Sequence, residues 1–351
     1  MSEKILMKGN EAIAEAAIAA GCHFFFGYPI TPQNELPEYM SRRLAQVGGT
    51  FVQAESEVAA INMVYGAASA GVRVMTSSSS PGFSLKQEGI SYCVGSELPC
   101  VIVNMVRGGP GLGSIQPAQS DYFQTVKGGG HGDYKMLVLA PATVQEMVDL
   151  AKVAFDLADK YRNPVIILGD GMLGQMMEPV VIPEPVSNLP VKSWATTGTN
   201  GDRKPNVINS LFIEADACEA QNIELQKKFK AMMDEVRFEI IYPDSEVFLV
   251  AYGTTARIAR TAIERMRPEG VSVGLIRPIS LFPFPYQIFE SVVDTAKFFL
   301  SVEMSAGQMV EDVRLAVKDR KPVHFYGRMG GAVPTPQEII DEVTRLLKGG
   351  I

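Results

Sequence analysis

The sequence predicts an α/β fold built on parallel sheets, and three observations carry that prediction. Short apolar runs, too hydrophobic to have a wet face, alternate with longer amphipathic stretches. Most of the runs end in a glycine or polar turn, and the rhythm stops once and then restarts. A chain of 351 residues also exceeds the usual size of a single core, so two domains are expected.

From residue 10 to about 172 the reading is helix and strand in alternation. It begins with the alanine-rich stretch 11–20 and the run 23–26 and continues with strand candidates at 51–54, 72–76, 100–106, 136–139 and 165–168. Between residues 177 and 244 the alternation breaks. Pro179, Pro183, Pro185 and Pro190 interrupt extended segments, and 198–205 is a polar turn region. This stretch reads as a linker holding one charged helix over 213–236. A second series then runs through 247–252, 271–276, 298–302 and 323–326. The expected division is 1–176, 177–244 and 245–351, and the two α/β halves are not repeats of each other.

Composition excludes several functions. No stretch approaches the roughly 20 apolar residues of a membrane helix, and residues 1–9 do not read as a secretion signal, so a cytoplasmic, soluble protein is expected. Cys22, Cys93, Cys100 and Cys218 include no C-x-x-C pair, which argues against a disulfide framework, structural zinc or a self-contained iron–sulfur cluster. A net charge of -7 lacks the basic footprint that nucleic acid requires.

Four segments follow predicted strands and point to one sheet edge. In Gly27-Tyr28-Pro29-Ile30-Thr31-Pro32, Thr31 reads as an N-cap and Pro32 as the first helical residue, with the helix over 33–47. A helix N-terminus there suits a small carboxylate, although plain capping is the more ordinary reading of these residues alone. In Glu55-Ser56-Glu57, Glu57 falls in a first helical turn, the ordinary place for a solvated acid. Its apolar followers, Val58 to Ile61, set it where desolvation raises a carboxyl pKa. The run Thr76-Ser77-Ser78-Ser79-Ser80-Pro81-Gly82 reads as a strand end and small-residue loop permitting close ligand approach. Arg107 opens the loop Gly108-Gly109-Pro110-Gly111-Leu112-Gly113, whose spacing fits neither nucleotide fingerprint, leaving Arg107 as a carboxylate clamp or an ion-pair partner. The loop 127–133, with His131, reads as a lid or a subunit contact.

Together, Tyr28-Pro29-Ile30-Thr31-Pro32, Glu55-Ser56-Glu57, Ser80-Pro81-Gly82-Phe83-Ser84-Leu85 and Arg107 with its glycine loop resemble the alpha subunit of the 2-oxoacid:ferredoxin oxidoreductases. The likeness continues through Ala251-Tyr252-Gly253 and Ser301-Val302-Glu303. It is nearest the branched-chain, 2-oxoisovalerate type in Met7-Lys8-Gly9-Asn10, the serine run and Gln119-Ser120-Asp121-Tyr122-Phe123. Where the family carries Thr-Ser-Gly-Pro-Gly, this chain has Ser78-Ser79-Ser80-Pro81-Gly82.

The resemblance implies a thiamin-diphosphate pyrimidine-binding domain followed by a transketolase C-terminal-like domain. It implies Glu57 as the acid at the cofactor's aminopyrimidine ring, promoting the tautomer that generates the nucleophilic carbon. Tyr28, Pro29, Ser80, Pro81 and Gly82 would contact the cofactor, and Thr31 and Arg107 the substrate carboxylate. The implied reaction is coenzyme A-dependent oxidative decarboxylation of a 2-oxoacid, with electrons passing to ferredoxin. The implied partners are a beta subunit holding Mg2+ and the diphosphate, a gamma subunit and a ferredoxin-like delta subunit, with the iron–sulfur clusters and much of the coenzyme A site on those chains. Gly169-Asp170-Gly171 with Asn200 imitates a metal-diphosphate motif, but the proline-broken segment between them argues against a compact metal loop, so no metal site is expected. Rival readings are pyruvate or 2-oxoglutarate as substrate, a lipoamide-linked dehydrogenase subunit, and a non-catalytic assembly subunit.

Overall fold

The computed structural model describes residues 4–199 and 201–349. Its first half contains β1 (Ile5–Lys8), β2 (Phe24–Gly27), β3 (Thr50–Gln53), β4 (Val74–Ser78), β5 (Val101–Val106), β6 (Leu137–Leu139), β7 (Val165–Asp170) and β8 (Met177–Val180). The second half contains β9 (Phe238–Ile241), β10 (Val247–Val250), β11 (Val273–Pro278), β12 (Ser280–Phe282), β13 (Phe298–Glu303) and β14 (Val323–Gly327).

A seven-stranded sheet has the order β12-β6-β7-β5-β4-β2-β3, and a five-stranded sheet the order β14-β13-β10-β11-β9. Strands β2 to β7 run parallel, and β4, β5 and β7 are buried along their whole length. That burial is the physical content of their unbroken apolar runs. The helix Gly9–Ala19 is largely buried and packs closely against the helices Val144–Tyr161 and Glu35–Gln46, which its alanines allow by removing side-chain bulk.

Four short strands escape the sequence reading. β1 and β8 form an antiparallel pair, while β9 and β12 are antiparallel edge strands. The 177–244 stretch therefore carries two strands beside its helix, Ala215–Ala231. β4 also runs later than expected, to Ser78. Ser77 and Ser78 are buried strand residues in register with Val103 and Asn104, because ladder pairing outweighs the loop tendency of serine.

The two sheets are joined by direct contacts. β12 adds to the edge of β6, so a segment from the second half completes the first sheet. The buried Gln119 side chain donates to the Tyr252 carbonyl (2.9 Å) and accepts from Met304 N–H (3.0 Å) and Thr255 Oγ1 (3.1 Å). Asp312, fully buried, accepts from Tyr122 (2.6 Å), Tyr286 (2.7 Å) and Lys127 (2.6 Å). Arg277, with a side chain 4% exposed, pairs with Glu146 across the interface and with Glu239 at 3.2 Å.

This last pair yields a prediction. Burial pushes the Glu146 carboxyl up, but Arg277 and the Ala142 N–H outweigh it, leaving its pKa below the ordinary 4.5. Its stabilisation is therefore present above that value and lost as pH falls through the lowered one. Arg277→Met is expected to cost about 2–3 kcal/mol at neutral pH, the low end for a buried pair because both acids keep some water contact. Urea unfolding at pH 7 and pH 4 should show this penalty shrinking in acid.

Candidate active site

Parallel pairing puts the carboxyl ends of β2, β3, β4 and β5 on one edge, and every predicted site residue lies in or just beyond the loops there. Glu57 opens the helix Glu57–Ser69, started by Ser56, whose Oγ accepts from Ala59 N–H at 3.1 Å. Glu57 is 6% exposed, and no described residue hydrogen-bonds its carboxylate.

The helix Ser80–Leu85 closes over this carboxylate. A Cβ on Gly82 would sit 2.4 Å from Glu57 Oε1 and 2.3 Å from Ser78 Oγ, so the backbone reaches the acid only because residue 82 has no side chain. Polar atoms without partners gather on the same strand ends. Ser78 Oγ, Ser79 Oγ and Gln33 Nε2 are all buried and unpaired, while Gln33 Oε1 takes the Ser77 hydroxyl at 2.5 Å. Buried unpaired donors are costly in a closed core and expected at a ligand site.

Lys86, fully buried, donates Nζ to Thr76 Oγ1 at 3.1 Å. Burial pulls its pKa down to about 8, against the opposing pull of the Glu57 charge.

The Thr31 segment departs from expectation. Thr31-Pro32 is a cis peptide in a turn, and the helix starts only at Glu35, with Asn34 as N-cap. Tertiary bonds hold this turn: the Pro32 carbonyl accepts from Asn10 and Gln175, both at 3.0 Å, and those two side chains also bind Glu35. Thr31 is exposed, as is Pro29, while Tyr28 is half-buried.

Arg107 is buried and has no ion-pair partner among the described residues. It is 7% exposed and donates to the carbonyls of Thr31 (2.9 Å) and Leu112 (3.2 Å), leaving Nε buried and unpaired. Its N–H donates to Ser80 Oγ at 3.1 Å, so Thr31, Arg107, Ser80 and Gly82 lead by contact to Glu57.

Ser80, Pro81 and Arg107 line a cavity of about 700 Å3 between the glycine loop and the second half, which contributes Met304, Ser305, Ala306 and Met329. Asp121 also lines it. Burial raises the Asp121 pKa despite hydrogen bonds from Asn104 and Ser80. Thr31 opens instead on a neighbouring recess of about 590 Å3 with Ile115 and Met172. The structure thus unites Glu57 with Gly82 and Arg107 with Ser80 and Thr31, but divides the faces they present.

Asp170 caps the short helix Gly171–Gln175, accepting from Met172 N–H (2.9 Å) and Leu173 N–H (3.2 Å). Its imitation partner Asn200 lies outside the described residues. In the 127–133 loop, His131 is exposed and its carbonyl accepts from Ser91 Oγ at 2.7 Å.

Gln33, Lys86 and Asn104 escaped the sequence reading. In sequence, Lys86 sits in the ordinary polar stretch Ser84-Leu85-Lys86-Gln87, and only packing against the strand ends buries it. Asn104 did carry a signal, as a polar residue inside the apolar run of β5.

Gly82→Ala is expected to displace the Glu57 carboxylate by about 1 Å and to lower turnover about 100-fold. The displacement is read in a crystal structure of the variant, and circular dichroism should show the fold retained.

Two family models cover nearly the whole chain. Residues 15–241 match the thiamine-diphosphate-binding model of the pyruvate flavodoxin/ferredoxin oxidoreductases, and 245–339 match pyruvate:ferredoxin oxidoreductase core domain II. The chain is 52% identical over 341 residues to the ketoisovalerate oxidoreductase subunit VorB of Methanothermobacter thermautotrophicus, covering 96% of each chain. It is 34% identical to the 2-oxoglutarate synthase subunit KorA of Methanocaldococcus jannaschii, covering 95% of this chain and 97% of the relative. Its fold superposes on the 2-oxoglutarate:ferredoxin oxidoreductase of Magnetococcus marinus, solved with 2-oxoglutarate, coenzyme A and succinyl-CoA bound. That match has a TM-score of 0.88 at 28% identity and covers 98% of this chain but 65% of the larger one. A split-gene transketolase shares the fold at a TM-score of 0.62 and 15% identity. With its buried acid on the edge of a sheet of this type, the chain belongs to the thiamin-diphosphate-dependent 2-oxoacid:ferredoxin oxidoreductases.

Proposed function

We propose that this chain is the alpha-type subunit of an enzyme that oxidatively decarboxylates 2-oxoisovalerate and related branched-chain 2-oxoacids to acyl-coenzyme A. The observation that carries the chemistry is Glu57, a buried carboxylate with no hydrogen bond from the described residues and pressed on Gly82. The substrate rests on likeness: identity is 52% to subunits named for ketoisovalerate and 34–38% to those named for 2-oxoglutarate. Apolar Met304, Ala306, Met329 and Pro81 in the large cavity are consistent with an aliphatic side chain.

The residues present fit thiamin diphosphate by chemistry. Glu57 would meet the pyrimidine ring nitrogen, with the unpaired Ser78, Ser79 and Gln33 side chains as neighbouring polar contacts and Gly82 leaving room. When bound, the cofactor supplies the carbon nucleophile and the electron sink for loss of carbon dioxide. Glu57 would share a proton with that ring. Tyr28 and Pro29, in the loop after β2, would border the cofactor. Arg107, which gives only two of its five N–H donors to carbonyls, would orient the substrate carboxylate from the large cavity, with Thr31 as a second contact from the neighbouring recess.

In this reading residues 1–176 form the pyrimidine-binding domain, 177–244 a linker and 245–351 the transketolase C-terminal-like domain. A beta subunit supplies Mg2+ and the diphosphate site. Gamma and delta subunits supply the iron–sulfur clusters and much of the coenzyme A site, and ferredoxin takes the electrons. The cysteines support this division, since Cys22, Cys93 and Cys100 are buried and only Cys218 is exposed. No described helix is long and apolar enough to cross a membrane, in keeping with a cytoplasmic location.

The purified complex, assayed with coenzyme A and a viologen acceptor, should show the highest kcat/KM with 2-oxoisovalerate; a higher value with pyruvate or 2-oxoglutarate overturns the substrate. Glu57→Gln in that complex should slow proton exchange at the reactive carbon of the cofactor by about 100-fold or more, measured by NMR.

A further inference from the structure

The wall that the second half contributes to the large cavity consists of Met304, Ser305, Ala306 and Gln308, with Met329 and Gly330 beside them. Residues 304–308 form the loop between β13 and the helix Met309–Val317, and such a loop keeps one shape only if its backbone groups are bonded. Gln308 stands at the cap position of that helix but does not cap it through its side chain. The orphan N–H groups of the helix start are taken instead by Glu303, the last residue of β13.

Glu303 is fully buried, and its carboxylate is saturated with donors. Oε2 accepts from Gln308 N–H (2.9 Å), Met309 N–H (3.0 Å) and Ser305 Oγ (2.8 Å), and Oε1 from Val310 N–H (2.9 Å) and Ser301 Oγ (3.0 Å). No cation pairs with it among the described residues, so the helix N-terminus and two hydroxyls offset its charge. The Glu303 carbonyl accepts from Arg328 N–H at 3.1 Å, at the start of the segment that carries Met329 and Gly330. The Gln308 side chain reaches across to the first half, donating to the Ser120 carbonyl (2.7 Å) and accepting from Phe123 N–H (2.8 Å). One buried residue thus fixes both second-half segments that meet the cavity, without lining the cavity itself.

We propose that Glu303 is a positioning residue for substrate selection: its carboxylate holds the loop 304–308 in the shape that fits a branched aliphatic side chain, a role that rests on the reading of this cavity as the place of that side chain. An apolar pocket separates substrates that differ by one methylene by about 10- to 200-fold, and it does so only while its wall keeps its shape. 2-Oxoisovalerate carries an isopropyl group where pyruvate has a methyl, so a fixed wall favours it and a loosened one does not.

In the whole complex, Glu303→Gln keeps the size of the side chain, removes its charge and turns one acceptor into a donor that faces backbone N–H groups. Assayed with coenzyme A and a viologen acceptor, the variant should lower the ratio of kcat/KM for 2-oxoisovalerate over pyruvate by about tenfold or more, mainly through a higher KM for 2-oxoisovalerate. Proton exchange at the reactive carbon of the cofactor, measured by NMR without substrate, should keep its wild-type rate, since it depends on Glu57 and not on this wall.

An unchanged ratio in a complex whose wild type prefers 2-oxoisovalerate overturns the role of Glu303 and leaves the substrate reading standing. A wild-type complex that prefers another 2-oxoacid overturns both. Equal losses with the two substrates, or slowed proton exchange, mark Glu303 as a residue of general stability and overturn the proposal. If Glu303→Gln does not fold, Glu303→Asp, which keeps the charge at a shorter reach, decides: a lowered ratio supports the proposal and an unchanged one overturns it.

Discussion

A carboxylate kept from water sets the terms for the rest of this site. Glu57 is a first-turn acid that the fold leaves only 6% exposed, with the helix Ser80–Leu85 lying over it. That closure depends in turn on Gly82, since any Cβ there collides with both Glu57 and Ser78. The serine-rich end of β4 and the absence of a side chain at 82 thus belong to one arrangement.

Such an arrangement needs a rigid base, which the parallel sheet provides. β4 and β5 are buried along their whole length and held in register from Met75/Val101 to Ser78/Asn104, so their last residues cannot shift independently. From there, contacts run outward through Ser80 and Arg107 to the Thr31 turn, which is pinned from behind by Asn10 and Gln175. The second half closes the outer side. Met304 and Ser305 line the large cavity, while Gln119, Asp312 and Arg277 fasten the two halves. The cavity therefore exists only because both sheets are present.

Arg107 illustrates how packing changes a role. Its side chain is largely spent on backbone carbonyls, so it stabilises the Thr31 turn and the glycine loop before it can do anything for a substrate. Two of its five N–H donors are used in this way, and Nε is buried without a partner. A clamp built this way is weaker than a free guanidinium fork but better fixed in position.

The sequence by itself determined the α/β class, the ladder of buried strands and the placement of Glu57, Ser80, Gly82 and Arg107 at one sheet edge. These follow from local hydrophobic periodicity and from the parallel topology it enforces. The four ordered motifs likewise sufficed for the family. Tertiary structure decided what local pattern cannot encode. The Thr31 segment is a turn instead of a cap because Asn10 and Gln175, distant in sequence, hold the Pro32 carbonyl. The strands β1, β8, β9 and β12 are too short to show a period and form only as partners or edges of strands already placed. Lys86 and Gln33 look solvated in sequence and are buried in the fold, since burial depends on what packs over a residue and not on its neighbours along the chain.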